Sequence, residues 1–88
     1  MYTTWVYEYG DYLIKIVNNK VFYVSVDDEI IWQKKGIYFT PLRVKVNLPK
    51  GEEMTIYLDG IFKMDCEVHI NGRYIVPIKI ERPANSWR

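Results

Sequence analysis

The single cysteine and the single histidine of this 88-residue chain lie three positions apart, in the stretch MDCEVHINGRY at positions 64–74. A thiol beside an imidazole is the pair that nucleophilic cysteine chemistry uses. In a β-strand, however, successive side chains point to opposite faces, so residues three apart do not share a face. The alternation therefore predicts that Cys66 faces the core and His69 faces outward, unless a β-bulge separates them.

Glu67 and His69 share the outward face of this predicted strand and form a second chemical pattern. Residues two apart on a strand lie about 6.6 Å apart along the chain, a spacing at which both can bind one metal ion. A zinc site needs three or four ligands, and Asp59 or Asp65 would have to supply another. We interpret this face as a solvated surface with cross-strand ion pairs, and we expect no metal site and no cofactor.

Other patterns of enzyme chemistry are missing from the chain. There is no G-x-S-x-G elbow, no glycine-rich phosphate loop and no second histidine or cysteine. The acid pairs Asp27-Asp28 and Glu52-Glu53 fall in predicted turns, where acids serve turn geometry and solubility. We therefore expect a protein that is not an enzyme.

The strongest charge pattern lies between Glu29 and Glu52, where the chain has five basic residues and no acid. Cations bind phosphates and aromatic rings stack on bases, so this segment is a candidate site for single-stranded nucleic acid, within positions 32–50. The simpler interpretation is a solvated sheet face, which the net charge of +1 favours. The candidate binding residues are Lys34, Lys35, Tyr38, Phe39, Arg43 and Lys45.

The elements that must position these residues are strands. Apolar, β-branched and aromatic residues alternate with polar ones between short turn signals, and no helical periodicity is present. The pattern predicts about seven to eight short antiparallel strands in one all-β domain over residues 1–81, a small β-sandwich or a barrel, followed by a flexible tail over 82–88. The row Trp5, Tyr7 and Tyr9 shares one face, and we favour a core position over a binding platform for it.

Turn chemistry adds finer expectations. A three-residue loop at positions 18–20 would pair Ile16 with Phe22, and the Asp-Gly sequence at 59–60 is typical of a two-residue hairpin turn. Pro77, inside a predicted last strand over 74–81, implies an edge position or a bulge. The two halves of the chain show similar turn and strand patterns. This similarity indicates either two β-meanders facing each other or the general likeness of hairpins.

Composition limits the class of protein. Apolar residues make up 49% of the chain, which is too hydrophobic for disorder, and a single cysteine fits a reducing compartment. No segment has the pattern of a signal peptide or the length of a membrane span. We expect a cytoplasmic protein without a membrane partner.

Several fragments, taken in order, resemble the Fas apoptotic inhibitory molecule family. The resemblance covers most of the chain, from about Trp5 to Ile75, and it is poor between Ile37 and Leu48. It implies a non-enzymatic β-sandwich that works through protein contacts, and it transfers no catalytic residue. The fragments are WVYEYGDYLIKI, YVSVDDEI, TIYLD and VHINGR.

The sequence thus predicts an interaction module that binds another protein through a sheet face or an edge strand. The partner is either a different protein or a second copy of the chain, in a homo-oligomer joined through an edge strand. Binding of single-stranded nucleic acid by the basic segment is the alternative.

Overall fold

The computed structural model describes residues 3–36, 41–59 and 65–82. All regular structure in these ranges is β-strand, in agreement with the alternating pattern. No helix among the described residues is long and apolar enough to cross a membrane. The strands are β1 (Thr3–Tyr9), β2 (Tyr12–Asn18), β3 (Val21–Val26), β4 (Glu29–Lys35), β5 (Leu42–Asn47), β6 (Glu53–Asp59), β7 (Asp65–Ile70), β8 (Arg73–Ile75) and β9 (Lys79–Glu81).

The strands form two antiparallel sheets, which confirms the predicted small β-sandwich. Sheet A has the order β4-β3-β2-β1-β9, and sheet B has the order β5-β6-β7-β8. Each half of the chain is therefore a meander of four consecutive strands, and β9 returns from sheet B to the edge of sheet A. Of the two explanations for the similar halves, the fold has the geometry of facing meanders.

One continuous core lies between the sheets. Alternate residues of each central strand are buried, because the strand period of two places them on the inner face. Trp5, Tyr7 and Phe22 are the largest fully buried side chains of sheet A, and Met54, Ile56 and Leu58 line the opposite face from β6. Removing these surfaces from water supplies the main stabilisation, at about 25 cal/mol per Å² of apolar area. Trp5 and Tyr7 are core residues, as the sequence predicts.

Two predicted turns are wrong in detail. Ile16 pairs with Val24, not with Phe22, because the loop between paired residues is 19–21. The register moves by an even number of residues, so the buried face is unchanged. The Asp-Gly sequence is not a two-residue turn, since Asp59 still belongs to β6 and lies opposite Asp65. Residues 60–64 between them lie outside the described part of the chain.

Pro77 divides the predicted last strand into two. Arg73–Ile75 pairs with β7 in sheet B, whereas Lys79–Glu81 pairs with β1 in sheet A. The chain crosses between the sheets at 76–78, and the Ile78 N–H donates to the Val6 carbonyl over 2.8 Å. Pro77 lies between the two strands and in neither of them, so the predicted single strand over 74–81, with Pro77 at an edge position or a bulge, is wrong. Of the predicted tail, only Arg82 is described.

Candidate functional site

A cleft lies on the side of the sandwich where the chain crosses from β8 to β9. Its volume is about 780 Å³. One wall is the outer face of sheet B, and the other is the crossing segment with β9. The lining residues are Tyr57, Asp59, Asp65, Cys66, Glu67, His69, Tyr74, Pro77 and Ile80.

The cleft exists because β8 is shorter than β7. β8 pairs Ile70 with Arg73 and Val68 with Ile75, and no described strand continues this pairing along Asp65–Glu67. Two further residues in the same register would place Pro77 opposite Cys66. Proline has no N–H to donate, so it cannot complete a ladder at that position. Within the described ranges, the first half of β7 therefore has no strand on this side, and we call it the open edge of β7.

Cys66 lines the floor of the cleft, and the fully buried Tyr7 side chain lies behind it. Cys66 lies opposite Leu58 on the inner face of sheet B, which confirms the predicted inward direction. Burial raises the pKa of its thiol to about 12, against a smaller lowering by the Tyr7 hydroxyl, and the Asp65 and Glu67 charges raise the pKa slightly further. A thiol of this kind is protonated at neutral pH and a poor nucleophile. His69 lies on the outer face opposite Thr55, so the two residues form no catalytic pair.

The Tyr7 hydroxyl is a buried polar group without a hydrogen-bond partner among the described residues. Burial raises its pKa above the ordinary value, and the neighbouring Cys66 thiol and Tyr74 add to this effect. The hydroxyl therefore points toward two residues that line the cleft. The group beside it is the Cys66 thiol, whose sulfur is only a weak acceptor, and a buried hydroxyl without a strong acceptor is costly.

The outer wall combines rings and a carboxylate–imidazole contact. Glu67 Oε2 lies 2.6 Å from His69 Nε2, and both side chains remain partly exposed. The His69 ring lies between Tyr57 and Tyr74, with ring centroids 5.7 and 5.6 Å away. These contacts fix the position of the imidazole on the outer face, where the sequence predicts it.

Three carboxylates make the mouth of the cleft acidic. Asp59 and Asp65 lie directly opposite each other on neighbouring strands, and Glu67 lies two residues further along β7. The Arg82 guanidinium lies 3.8 Å from the Asp65 carboxylate. No group of three or more His, Cys, Asp or Glu side chains in the described ranges has an arrangement suited to a metal ion.

An exposed apolar row borders the cleft. Tyr74, Val76, Ile78 and Ile80 are each between 44% and 61% exposed, although large apolar side chains usually lie in the core. Ile80 lies opposite Trp5 and shares its inward face, yet it remains 44% exposed. A continuous row of this kind on a protein surface is a feature of interaction sites.

The predicted basic site is divided between the two sheets. Lys34 and Lys35 lie at the end of β4 in sheet A, whereas Arg43 and Lys45 lie on β5 in sheet B. Only Arg43 and Lys45 share a surface, the outer face of sheet B, where the Arg43 guanidinium lies 5.6 Å from the centre of the Tyr57 ring. Tyr38 and Phe39 lie outside the described residues.

Sequence reasoning missed the apolar row and the cleft. The signal was present in the stretch YIVPIKI at 74–80, which is apolar on both faces although Pro77 marks it as an edge. A strand apolar on both faces needs covering on both sides, and an edge strand cannot have that. This conflict is visible in the sequence and identifies the exposed segment.

No protein-family model, curated protein or solved structure matches this chain. The fold and the site together define a small two-sheet β-sandwich with an acidic, partly apolar cleft at one side.

Proposed function

We propose that this protein is a non-enzymatic interaction module that binds another protein through the side of the sandwich formed by β8 and β9. The observation that carries the proposal is the exposed row Tyr74, Val76, Ile78 and Ile80 beside the cleft. Apolar side chains gain about 25 cal/mol for each Å² that a partner covers. A surface that exposes this row in water is stabilised when a partner covers it.

The composition of the surface supports a protein partner over a small molecule. Tyrosines are enriched at the centres of protein interfaces, and Tyr57 and Tyr74 stand on either side of His69 in the cleft. Beside them, the open edge of β7 leaves a place where an extended segment can join sheet B. Strand addition of this kind is a recurring mode of peptide recognition.

The test is selection from a displayed library of random peptides against the immobilised protein. Selected peptides are then measured against the double variant Val76→Ser with Ile78→Ser. Because these side chains are exposed, the variant should fold normally and lose affinity by about tenfold or more. The matched control is Val21→Ser with Ile30→Ser, which removes exposed apolar groups from β3 and β4.

The control variant should bind the selected peptides as the unmodified protein does. If no peptide is enriched, or if both double variants lose the same affinity, the β8–β9 side is not the binding surface.

A second candidate, binding of single-stranded nucleic acid, has one supporting observation. Arg43 lies over the Tyr57 ring with Lys45 two residues along the same face, so cations lie beside an aromatic ring. The test is a salt titration with a labelled oligonucleotide. Replacing both basic residues with alanine should lower the slope of log affinity against log salt by about 1.4. If no binding is found at low ionic strength, this candidate is wrong.

A further inference from the structure

The open edge of β7 presents one residue to an incoming strand. Asn71 and Gly72 have φ of 51° and 81° and form a two-residue turn between β7 and β8. Residues that flank such a turn, here Ile70 and Arg73, exchange both backbone hydrogen bonds. By alternation, the backbone groups of Val68 and Cys66 point to the same side. On this side Val68 pairs with Ile75 of β8, whereas Cys66 pairs with no described strand there; its partner Leu58 of β6 lies on the opposite side of β7.

The direction of each side chain on the incoming strand decides which residues of the cleft it contacts. Directly opposite residues of paired strands point to the same face of the sheet. A residue opposite Cys66 therefore points inward, toward the Tyr7 hydroxyl behind the thiol. The residues before and after it point outward, toward Asp65 and Glu67, and the Asp59 carboxylate lies across from Asp65.

We propose that the cleft binds an extended segment of another protein with the pattern basic, small hydroxyl-bearing, basic, which joins sheet B as a strand beside Asp65–Glu67. This inference rests on the proposed function and names the partner's chemistry. The two basic residues face the carboxylates of Asp65 and Glu67. The middle residue exchanges two backbone hydrogen bonds with Cys66, and its hydroxyl accepts a hydrogen bond from Tyr7.

Two independent observations point to this occupant. Three carboxylates line the cleft, so the charge complement of its mouth is a cation. The buried Tyr7 hydroxyl has only the weakly accepting Cys66 thiol beside it, so an oxygen acceptor that enters past the thiol would satisfy it better. Space is sufficient, because a cleft of about 780 Å³ holds several residues of extended chain.

The probe is a labelled seven-residue peptide with Lys-Thr-Lys at its centre, compared with peptides that carry Glu-Thr-Glu or Lys-Val-Lys. In fluorescence polarisation, the Lys-Thr-Lys peptide should bind at least about tenfold more tightly than the Glu-Thr-Glu peptide. The double variant Asp65→Asn with Glu67→Gln should weaken its binding about fivefold to tenfold. The control Glu8→Gln with Glu53→Gln removes two exposed acids elsewhere and should change binding less than about twofold.

Two further measurements test the strand pairing and the middle residue. Binding should slow hydrogen exchange of the Cys66 amide by about tenfold or more, because that N–H becomes hydrogen-bonded. Tyr7→Phe should abolish the preference for threonine over valine at the middle position, since the donor is then missing. A ligand that only covers the outer face of sheet B would change neither result.

The inference is overturned if lysine and glutamate peptides bind equally, if the peptide does not bind, or if it binds without slowing exchange at Cys66. It is also overturned if the free chain self-associates and Asp65→Asn with Glu67→Gln abolishes that association, because the occupant is then a second copy. A different outcome separates the two proposals. If library peptides lose affinity for Val76→Ser with Ile78→Ser but bind Asp65→Asn with Glu67→Gln unchanged, the proposed function stands and this inference is wrong. If the library yields no peptide, both fail.

Discussion

The two sides of the sandwich end their sheets in different ways. On one side, β4 and β5 are seven and six residues long and carry lysine and arginine. On the other side, β8 and β9 are three residues each, with exposed apolar side chains above and carboxylates beside them. Both arrangements are ways to limit edge-to-edge pairing, by charge in the first case and by shortness in the second.

The difference shows where a partner fits. Basic residues on a long edge keep it hydrated and discourage strand addition. Short strands leave a gap, and on the β8–β9 side the gap is a cleft lined by rings and carboxylates. The β3–β4 side also exposes Val21 and Ile30, but the β8–β9 side has four exposed apolar side chains within residues 74–80. The second side is therefore the one with free energy to gain from a partner.

The largest expected effect tests whether the apolar row is outside the core. Phe22 is fully buried on β3 and contacts the Trp32 ring with centroids 5.6 Å apart. Phe22→Ala should lower the free energy of unfolding by about 3–5 kcal/mol, because it leaves a cavity. Ile78→Ala should cost less than about 1 kcal/mol, because its side chain is 57% exposed. Urea denaturation followed by tryptophan fluorescence measures both.

Equal costs at the two positions would contradict the contrast between the sides. They would mean that Ile78 contributes to the folded state as a core residue does, and the row would no longer indicate an interaction surface.

The fold was predictable from the sequence because strand alternation is local information. Leu42, Val44 and Val46 alternate with polar residues, and the structure places this strand where the pattern predicts it. The pairing register between neighbouring strands was less predictable, because it depends on which residue is the last to pair before each turn. Fully buried Asn18 extends β2 by one residue beyond the expected end, and this moves the pairing of Ile16.

The candidate site was less predictable, because it depends on where strands end in space. Glu67 and His69 were identified from their spacing and interpreted as a solvated face. The structure keeps both partly exposed on the outer face of sheet B and also places them on the wall of the cleft. That wall exists because Pro77 ends the pairing of β8 with β7, and the effect of a proline on a strand several residues away is not local information. The division of the basic residues between two sheets is a property of topology for the same reason.

The next effect in size concerns the only thiol, which reports on the floor of the cleft. Burial raises the pKa of Cys66 to about 12 from an ordinary value of 9.0. The thiolate is then scarcer, although a more basic thiolate is also a better nucleophile. The two effects together predict alkylation by iodoacetamide at pH 8 about thirtyfold to sixtyfold slower than for a small-molecule thiol. Mass spectrometry over time measures the rate.

Because the raised pKa favours the protonated thiol, the reaction should accelerate as the pH rises toward 12. The control is alkylation in urea. Because the thiol is buried only in the folded state, the unfolded chain should react as fast as a small-molecule thiol. Rapid alkylation of the folded protein at pH 8 would mean that the floor of the cleft is open to water, and the contrast between an exposed mouth and a closed floor would be wrong.

The smallest expected effect compares two tyrosine hydroxyls. Tyr12 donates to Glu52 Oε1 and accepts from the Lys50 N–H, each over 3.0 Å, whereas Tyr7 has no partner within the described ranges. Tyr7→Phe should leave the free energy of unfolding unchanged or raise it by up to about 1 kcal/mol, because it removes an unpaired buried group. Tyr12→Phe should lower it, because it leaves the Lys50 N–H without its acceptor. Thermal and urea unfolding of both variants give the two signs. A loss of stability in Tyr7→Phe would show that the hydroxyl is already satisfied in the free protein, and the floor of the cleft would then offer nothing for a partner's acceptor to complete.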